Sequence, residues 1–256
     1  MLDTFEEKRE ASQKHFAATA AQTILETTPL EITPKIEAFV ATLGGDDLAW
    51  VPVVPDKYGL FGWCSDGVQE KILNDGGSIR FGWTIWELPK TLATAEFHAV
   101  WFGSDGELYD ITPKPSGEHK ILFVPDRNYA ADFDFDEHPP NRRHRLYEEL
   151  DYEREVQSYI KAMKPTQLKY EMDRAAKAGE SLEKRILQKL APDTSVAKTI
   201  DSFIEACDLY EKKLNELLPG SGYVVPDDEL MQLAERRNNL NAKVLRISKK
   251  LETDTR

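Results

Sequence analysis

All five tryptophans of this chain, Trp50, Trp63, Trp83, Trp86 and Trp101, fall in one stretch of its first half, and none follows residue 101. Bulky aromatics among β-branched neighbours suit a half-buried pleated surface. The second half is instead rich in Leu, Glu, Lys, Arg and Ala, mostly strong helix formers. Charge changes at the same place: residues 1–140 carry 24 acidic and 11 basic side chains, residues 141–256 carry 21 and 22. At 256 residues the chain is long enough to bury a real core. The pattern predicts an α+β fold in the first half and an all-α C-terminal region. The expected divisions are an N-terminal helix over 1–30, an α+β core over 31–131, an acidic, proline-bearing linker over 132–144 and a helical region over 145–256.

Local signals place the elements. Leu2 to Thr27 holds neither Gly nor Pro and reads as a helix, expected to pack on the C-terminal helices. Thr33-Pro34 is an N-cap followed by a first-turn proline, and Gly44-Gly45 ends that helix. Leu48 to Val54 reads as a strand. Ser65 and Asp66 are cap-type residues, and Val68, Ile72 and Leu73 repeat at helical spacing, so Cys64 stands at or just before a helix N-terminus. Strands are expected over Ser78–Leu88, Ala95–Phe102, Leu108–Thr112 and Lys120–Val124. Helical candidates are Leu146–Ala162, Gln167–Lys177, Ser181–Leu190, Ser195–Leu218 and Asp227–Leu251, separated at Pro165, Pro192 and Pro219-Gly220.

Composition narrows the function classes. A net charge of −12 argues against non-specific binding of nucleic acid or anionic membrane. No apolar run approaches a membrane span, and the polar, acidic start is unlike a secretory signal, so the expected location is cytoplasmic. Cys64 and Cys207 cannot make a disulfide scaffold, and no metal or cofactor is called for. Asp132, Asp134, Asp136, Glu137 and His138 begin like a calcium loop, but no glycine turn or distal bidentate Glu follows, and they read as a solvated linker.

One constellation carries chemistry: Cys64, His98 and Asp110. A cysteine is a nucleophile as its thiolate, which a helix N-terminus and a nearby imidazole both favour. A third polar group then orients the imidazole. The turn before Asp110 fixes the geometry. A two-residue turn at Asp105-Gly106 would put His98 and Asp110 on opposite faces. A three-residue loop, Ser104-Asp105-Gly106 with a left-handed glycine, pairs residues whose numbers sum to 210 and puts both on one face, within reach of each other. Cys64 is then expected to face His98. The same three side chains have the types of zinc ligands, but a catalytic triad accounts for them more simply. The backbone N–H of Cys64 and the hydroxyl of Tyr58 are the candidates for stabilising an oxyanion. Trp63, Trp83 and Trp86 are candidates to line a substrate groove, against the alternative that the strand tryptophans serve the core.

The order and spacing of these residues resemble the papain-like superfamily, in its NlpC-type and transglutaminase-like branches. Tyr58-Gly59 with Trp63-Cys64-Ser65 looks like the segment around an NlpC-type nucleophile, and His98 to Asp110 looks like that family's histidine strand, turn and following strand. Asp110-Ile-Thr-Pro113 is also similar to the Asp strand of transglutaminases. A closer resemblance, over roughly residues 33–130, is to an uncharacterised bacterial family some of whose members carry a SEC-C zinc-binding tail. It rests on Gly82 to Glu87, Ala95 to Trp101, Gly106 to Lys114 and Ile121 to Asp126. This sequence has no Cys/His-rich zinc tail, and Ser65-Asp66-Gly67 departs from the Asn-containing stretch expected after the cysteine. The resemblance implies a papain-like core with an antiparallel sheet packed on the Cys-bearing helix. It also implies a cysteine-dependent peptidase, amidase, deamidase or transglutaminase-like activity on a peptide or protein amide. The competing expectation is a catalytically inactive interaction module whose C-terminal helices, with seams such as Leu230, Leu233, Leu240, Val244 and Ile247, serve dimerisation or a protein partner.

Overall fold

The computed structural model describes residues 4–21, 26–45, 47–148, 152–190, 195–217 and 224–253. These divide into two compact units, Met1–Leu146 with Ile200–Arg256, and Tyr147–Thr199. The helical region expected as one piece over 145–256 is therefore split. The reason lies in the segment expected to be a linker. Phe133 and Phe135 pack on the core, and Arg142–Arg145 is a strand, with Arg143 paired to Asp208 and Glu211 and Arg145 to Asp201. The acidic residues Asp132, Asp134, Asp136 and Glu137 are exposed, as expected of a solvated segment, while the arginines that follow them hold a helix to the strand.

In the larger unit the described elements are helices α1 (Phe5–Ala20), α2 (Pro34–Ala41) and α3 (Cys64–Asp75), then strands β1 (Ala49–Pro52), β2 (Ser78–Leu88), β3 (Leu92–Phe102), β4 (Leu108–Tyr109), β5 (Lys120–Pro125) and β6 (Arg142–Arg145). The sheet is antiparallel, in the order β1-β5-β2-β3-β4, and β6 joins the same outer edge of β3 as β4. The smaller unit contains α4 (Tyr152–Ala162), α5 (Pro165–Ala178) and α6 (Leu182–Leu190), packed around buried Val156, Ala175 and Ile186. Glu171, buried there, is paired with Arg185 and Lys189. The remaining helices are α7 (Ser195–Leu217) and α8 (Asp228–Thr253). Among the described residues no helix is long and apolar enough to cross a membrane.

Strand alternation sorts the core into two layers. Ile79, Phe81, Trp83 and Ile85 of β2 and the odd-numbered residues of β3 pack with Ile36, Phe39 and Val68 of the helices. On the other face Val51, Val100, Ile121 and Phe123 form a second cluster. The sheet curls: after β4 the Asp110 N–H donates to the Pro52 carbonyl (3.0 Å), and the Val54 N–H donates to the Asp110 carbonyl (2.8 Å). The chain leaving one edge thus bonds to β1 at the opposite edge, which ends β4 at Tyr109 rather than at Thr112 as expected. The hairpin itself has the three-residue loop. Trp101 pairs Tyr109 and Phe102 pairs Leu108, and Gly106 takes the left-handed φ of 85° that this loop requires.

Among the described residues the contacts of α1 are with the loop before Cys64 rather than with the C-terminal helices. Ser12 Oγ accepts a hydrogen bond from the Phe61 N–H (2.7 Å), the His15 and Phe61 rings lie 4.8 Å apart, and Lys8 pairs with Asp66. It thereby buttresses the loop that leads into Cys64.

Candidate active site

Cys64 is the first residue of α3, and Trp63 is its N-cap. An indole offers no acceptor, and no side chain caps this end. Ser65 and Asp66, expected as caps, lie instead within the first turn. The first-turn N–H groups, that of Cys64 among them, have no intrahelical partner, so this end favours negative charge. Gly67 lets α3 sit this close to the preceding loop, because a Cβ there would come 2.5 Å from the Tyr58 carbonyl oxygen.

His98 projects from β3 toward Asp110, with Nε2 at 3.2 Å from Oδ1. Asp110 is fully buried by the sheet closure. Its Oδ1 also accepts from the Thr112 N–H (2.9 Å), and its Oδ2 lies 2.6 Å from Lys114 Nζ. The approaches of His98 and Lys114 are ion pairs rather than aligned hydrogen bonds. One buried carboxylate thus faces two cations. Burial would lower the imidazole pKa, but Asp110 foremost, and then Cys64, outweigh it and the opposing Lys114, and His98 is pushed up to about 10. Burial would likewise raise the Asp110 pKa, and Lys114 and His98 reverse this to hold it well below the usual carboxylate range.

Along the outer edge of β3, β6 covers residues 92–95 and β4 covers 101–102, and among the described residues no strand covers the stretch between. A cavity of about 540 Å3 opens beside it. Cys64 and His98 both line it, as do Trp86, Phe61, Phe97, Phe135, Thr112 and Lys114. Cys64 packs with the helix-side cluster and His98 alternates to the other face of the sheet, so the expected face-to-face placement is reduced to a shared border on this cavity. Among the described residues they form no direct sulfur–imidazole hydrogen bond, although the charge of one is felt at the other. With Nε2 given to Asp110, Nδ1 is the ring nitrogen left for the cavity.

The other expected residues separate. Trp86 lines the cavity, with its Nε1 donating to Glu96 Oε2 (2.7 Å). Trp83 does not: it is 1% exposed, and its Nε1 reaches Asp126 Oδ2 at 3.3 Å. Being odd-numbered on β2, it belongs to the helix-side core. Trp63 turns to the His15 ring of α1, 6.5 Å away, and does not line the cavity. Tyr58 is also absent from the lining; it is buried in the core with the Lys57 ammonium 4.6 Å from its ring centroid. Its hydroxyl is therefore not placed for an oxyanion in this cavity, and the first-turn N–H groups of α3 are the remaining donors.

Lys114 is the residue that sequence reasoning missed. Its signal was a cation four residues beyond Asp110, across a proline. Cys207 is the contrasting thiol: burial, against the opposing charge of Arg143, pushes it up to about 11. Among the described residues no three His, Cys, Asp or Glu side chains converge as metal ligands would. Compared with known proteins, the chain matches no family model, and neither a curated protein nor a solved structure matches it.

Proposed function

We propose that this protein is a cysteine-dependent amide hydrolase or acyltransferase with Cys64 as nucleophile, His98 as general acid and base, and Asp110 as the group that orients His98. The reading takes the α+β unit as a papain-like core and a cytoplasmic peptide or protein amide as substrate. The observation that carries it is the shared cavity, lined both by Cys64 at the uncapped N-terminus of α3 and by His98, whose imidazole faces a buried carboxylate. A positively charged His98 and the helix terminus both favour negative charge at the sulfur.

The Cys64 thiolate adds to the amide carbonyl. A carbon–sulfur bond forms, and the oxygen takes the electron pair under the first-turn N–H groups. The intermediate then collapses, the carbon–nitrogen bond breaks, and His98 gives its proton to the departing amine. The neutral imidazole next takes a proton from water or an amine, which attacks the thioester and releases Cys64. Asp110 stays ionised throughout, and Lys114 neutralises the half of the carboxylate that His98 does not face.

Acylation by p-nitrophenyl acetate tests this, read by peptide mass mapping. The expected result is one acetyl group on Cys64, lost in Cys64→Ser and strongly slowed in His98→Ala, with a smaller loss in Asp110→Asn. A Cys64 that acylates no faster in the wild type than in His98→Ala overturns the reading and leaves the interaction module.

A further inference from the structure

The cavity beside Cys64 carries more negative charge than the proposed chemistry uses. Three carboxyl side chains, Glu26, Glu96 and Glu118, line it. The cations that also face it are already engaged. Lys114 is held on Asp110, and His98 shares that carboxylate. Arg143, whose charge acts on Glu26, is tied to Asp208 and Glu211. Burial pushes the Glu26 carboxyl up toward its neutral form, so Glu96 and Glu118 are the carboxylates left in excess. Glu96 satisfies one oxygen with the Trp86 indole, while Glu118 Oε1 is buried with no hydrogen-bond partner. Thr112, nearly fully buried in the same lining, likewise has an unpartnered hydroxyl. Buried oxygens of this kind call for a donor. Phe61, Phe97 and Phe135 add aromatic rings to the lining, and the Lys114 ammonium already lies 5.7 Å from the Trp86 ring centroid, an arrangement that attracts cations when water is excluded.

We infer that the site selects substrates that carry a positive charge beside the reacting amide: lysine- or arginine-bearing peptides, or those with a free amino group. The inference rests on Cys64 being the reactive thiol of this cavity. A cleft lined by charge of one sign concentrates ligands of the other, raising association rates by roughly tenfold or more.

The test compares two thiol reagents of opposite charge at Cys64, the trimethylammonium-ethyl and sulfonato-ethyl methanethiosulfonates, with neutral iodoacetamide as reference. Rates are read by peptide mass mapping on the whole protein and expressed relative to free cysteine. The expected result is a preference for the cationic reagent of roughly tenfold or more. That preference, read as the ratio of the cationic to the anionic reagent's rate, should collapse in the Glu26→Gln/Glu96→Gln/Glu118→Gln variant. In the wild type it should also shrink as salt is raised, a reading that needs no variant to fold. A Cys64 that reacts with iodoacetamide but shows no charge preference, or one that salt and the variant leave unchanged, overturns the inference alone. A Cys64 inert to all three reagents overturns the proposed function and the inference with it.

Discussion

Alkaline pH should destabilise this protein through one side chain. His98 has a folded pKa of about 10, against an ordinary value of 6.5, because the buried Asp110 carboxylate and the Cys64 sulfur outweigh the cost of burying its charge. A group whose folded pKa lies above its unfolded one stabilises the fold fully below the unfolded value. That stability is lost as the pH rises toward the folded value. Each pH unit between the two is worth about 1.4 kcal/mol, so the span sets a ceiling of roughly 5 kcal/mol on what is lost between pH 6.5 and 10. The Asp110 shift reflects the same attraction and is not added to it. Urea unfolding of the wild type and His98→Gln, at intervals from pH 6.5 to 10, isolates this contribution from lysines and tyrosines that titrate in both proteins. His98→Gln keeps Lys114 and the Thr112 N–H on Asp110, so the carboxylate is not orphaned. The stability difference between the two should shrink by several kcal/mol as the pH rises. A difference that stays flat across the range would refute a protonated His98 opposite Asp110.

Three further outcomes follow from the geometry. Lys114→Met leaves the fully buried Asp110 with one cation fewer and should cost about 3 kcal/mol in urea unfolding. Gly67→Ala drives a Cβ toward the Tyr58 carbonyl and should cost about 1–3 kcal/mol while slowing Cys64 alkylation, since α3 must back away from its loop. Trp83→Phe loses the indole bond to Asp126 and should lower the unfolding free energy by about 1–2 kcal/mol without changing Cys64 alkylation, whereas Trp86→Leu, at the cavity wall, should change the alkylation rate.

The parts of the site that were legible in the sequence are those set by near neighbours. The glycine of Ser104-Asp105-Gly106 selects the loop, and the loop sets the register that appears as Trp101↔Tyr109 and Phe102↔Leu108. The apolar repeat after Cys64 places that thiol at a helix start whatever the rest of the chain does, and the alternation in β2 puts Trp83 and Trp86 on opposite faces. Alternation alone did not say which face the helices cover, so Trp83 and Trp86 were both candidates for the groove until the packing separated them.

What tertiary structure decided depends on residues far apart in the chain. Asp110 is held by Pro52 and Val54 because the sheet curls until its edges meet, and that closure both buries the carboxylate and brings Lys114 onto it. No local pattern encodes that return, just as none encodes α1 seating Ser12 on the Phe61 backbone or β6 recruiting α7 by its arginines. By itself the sequence determined most of the elements, though not β6 or the end of β4, together with the turn and the reactive residue types, since backbone sterics and side-chain periodicity act over a few residues. The cavity, its excess of carboxylates and the charge on His98 come from burial and long-range pairing, which exist only once the sheet has closed.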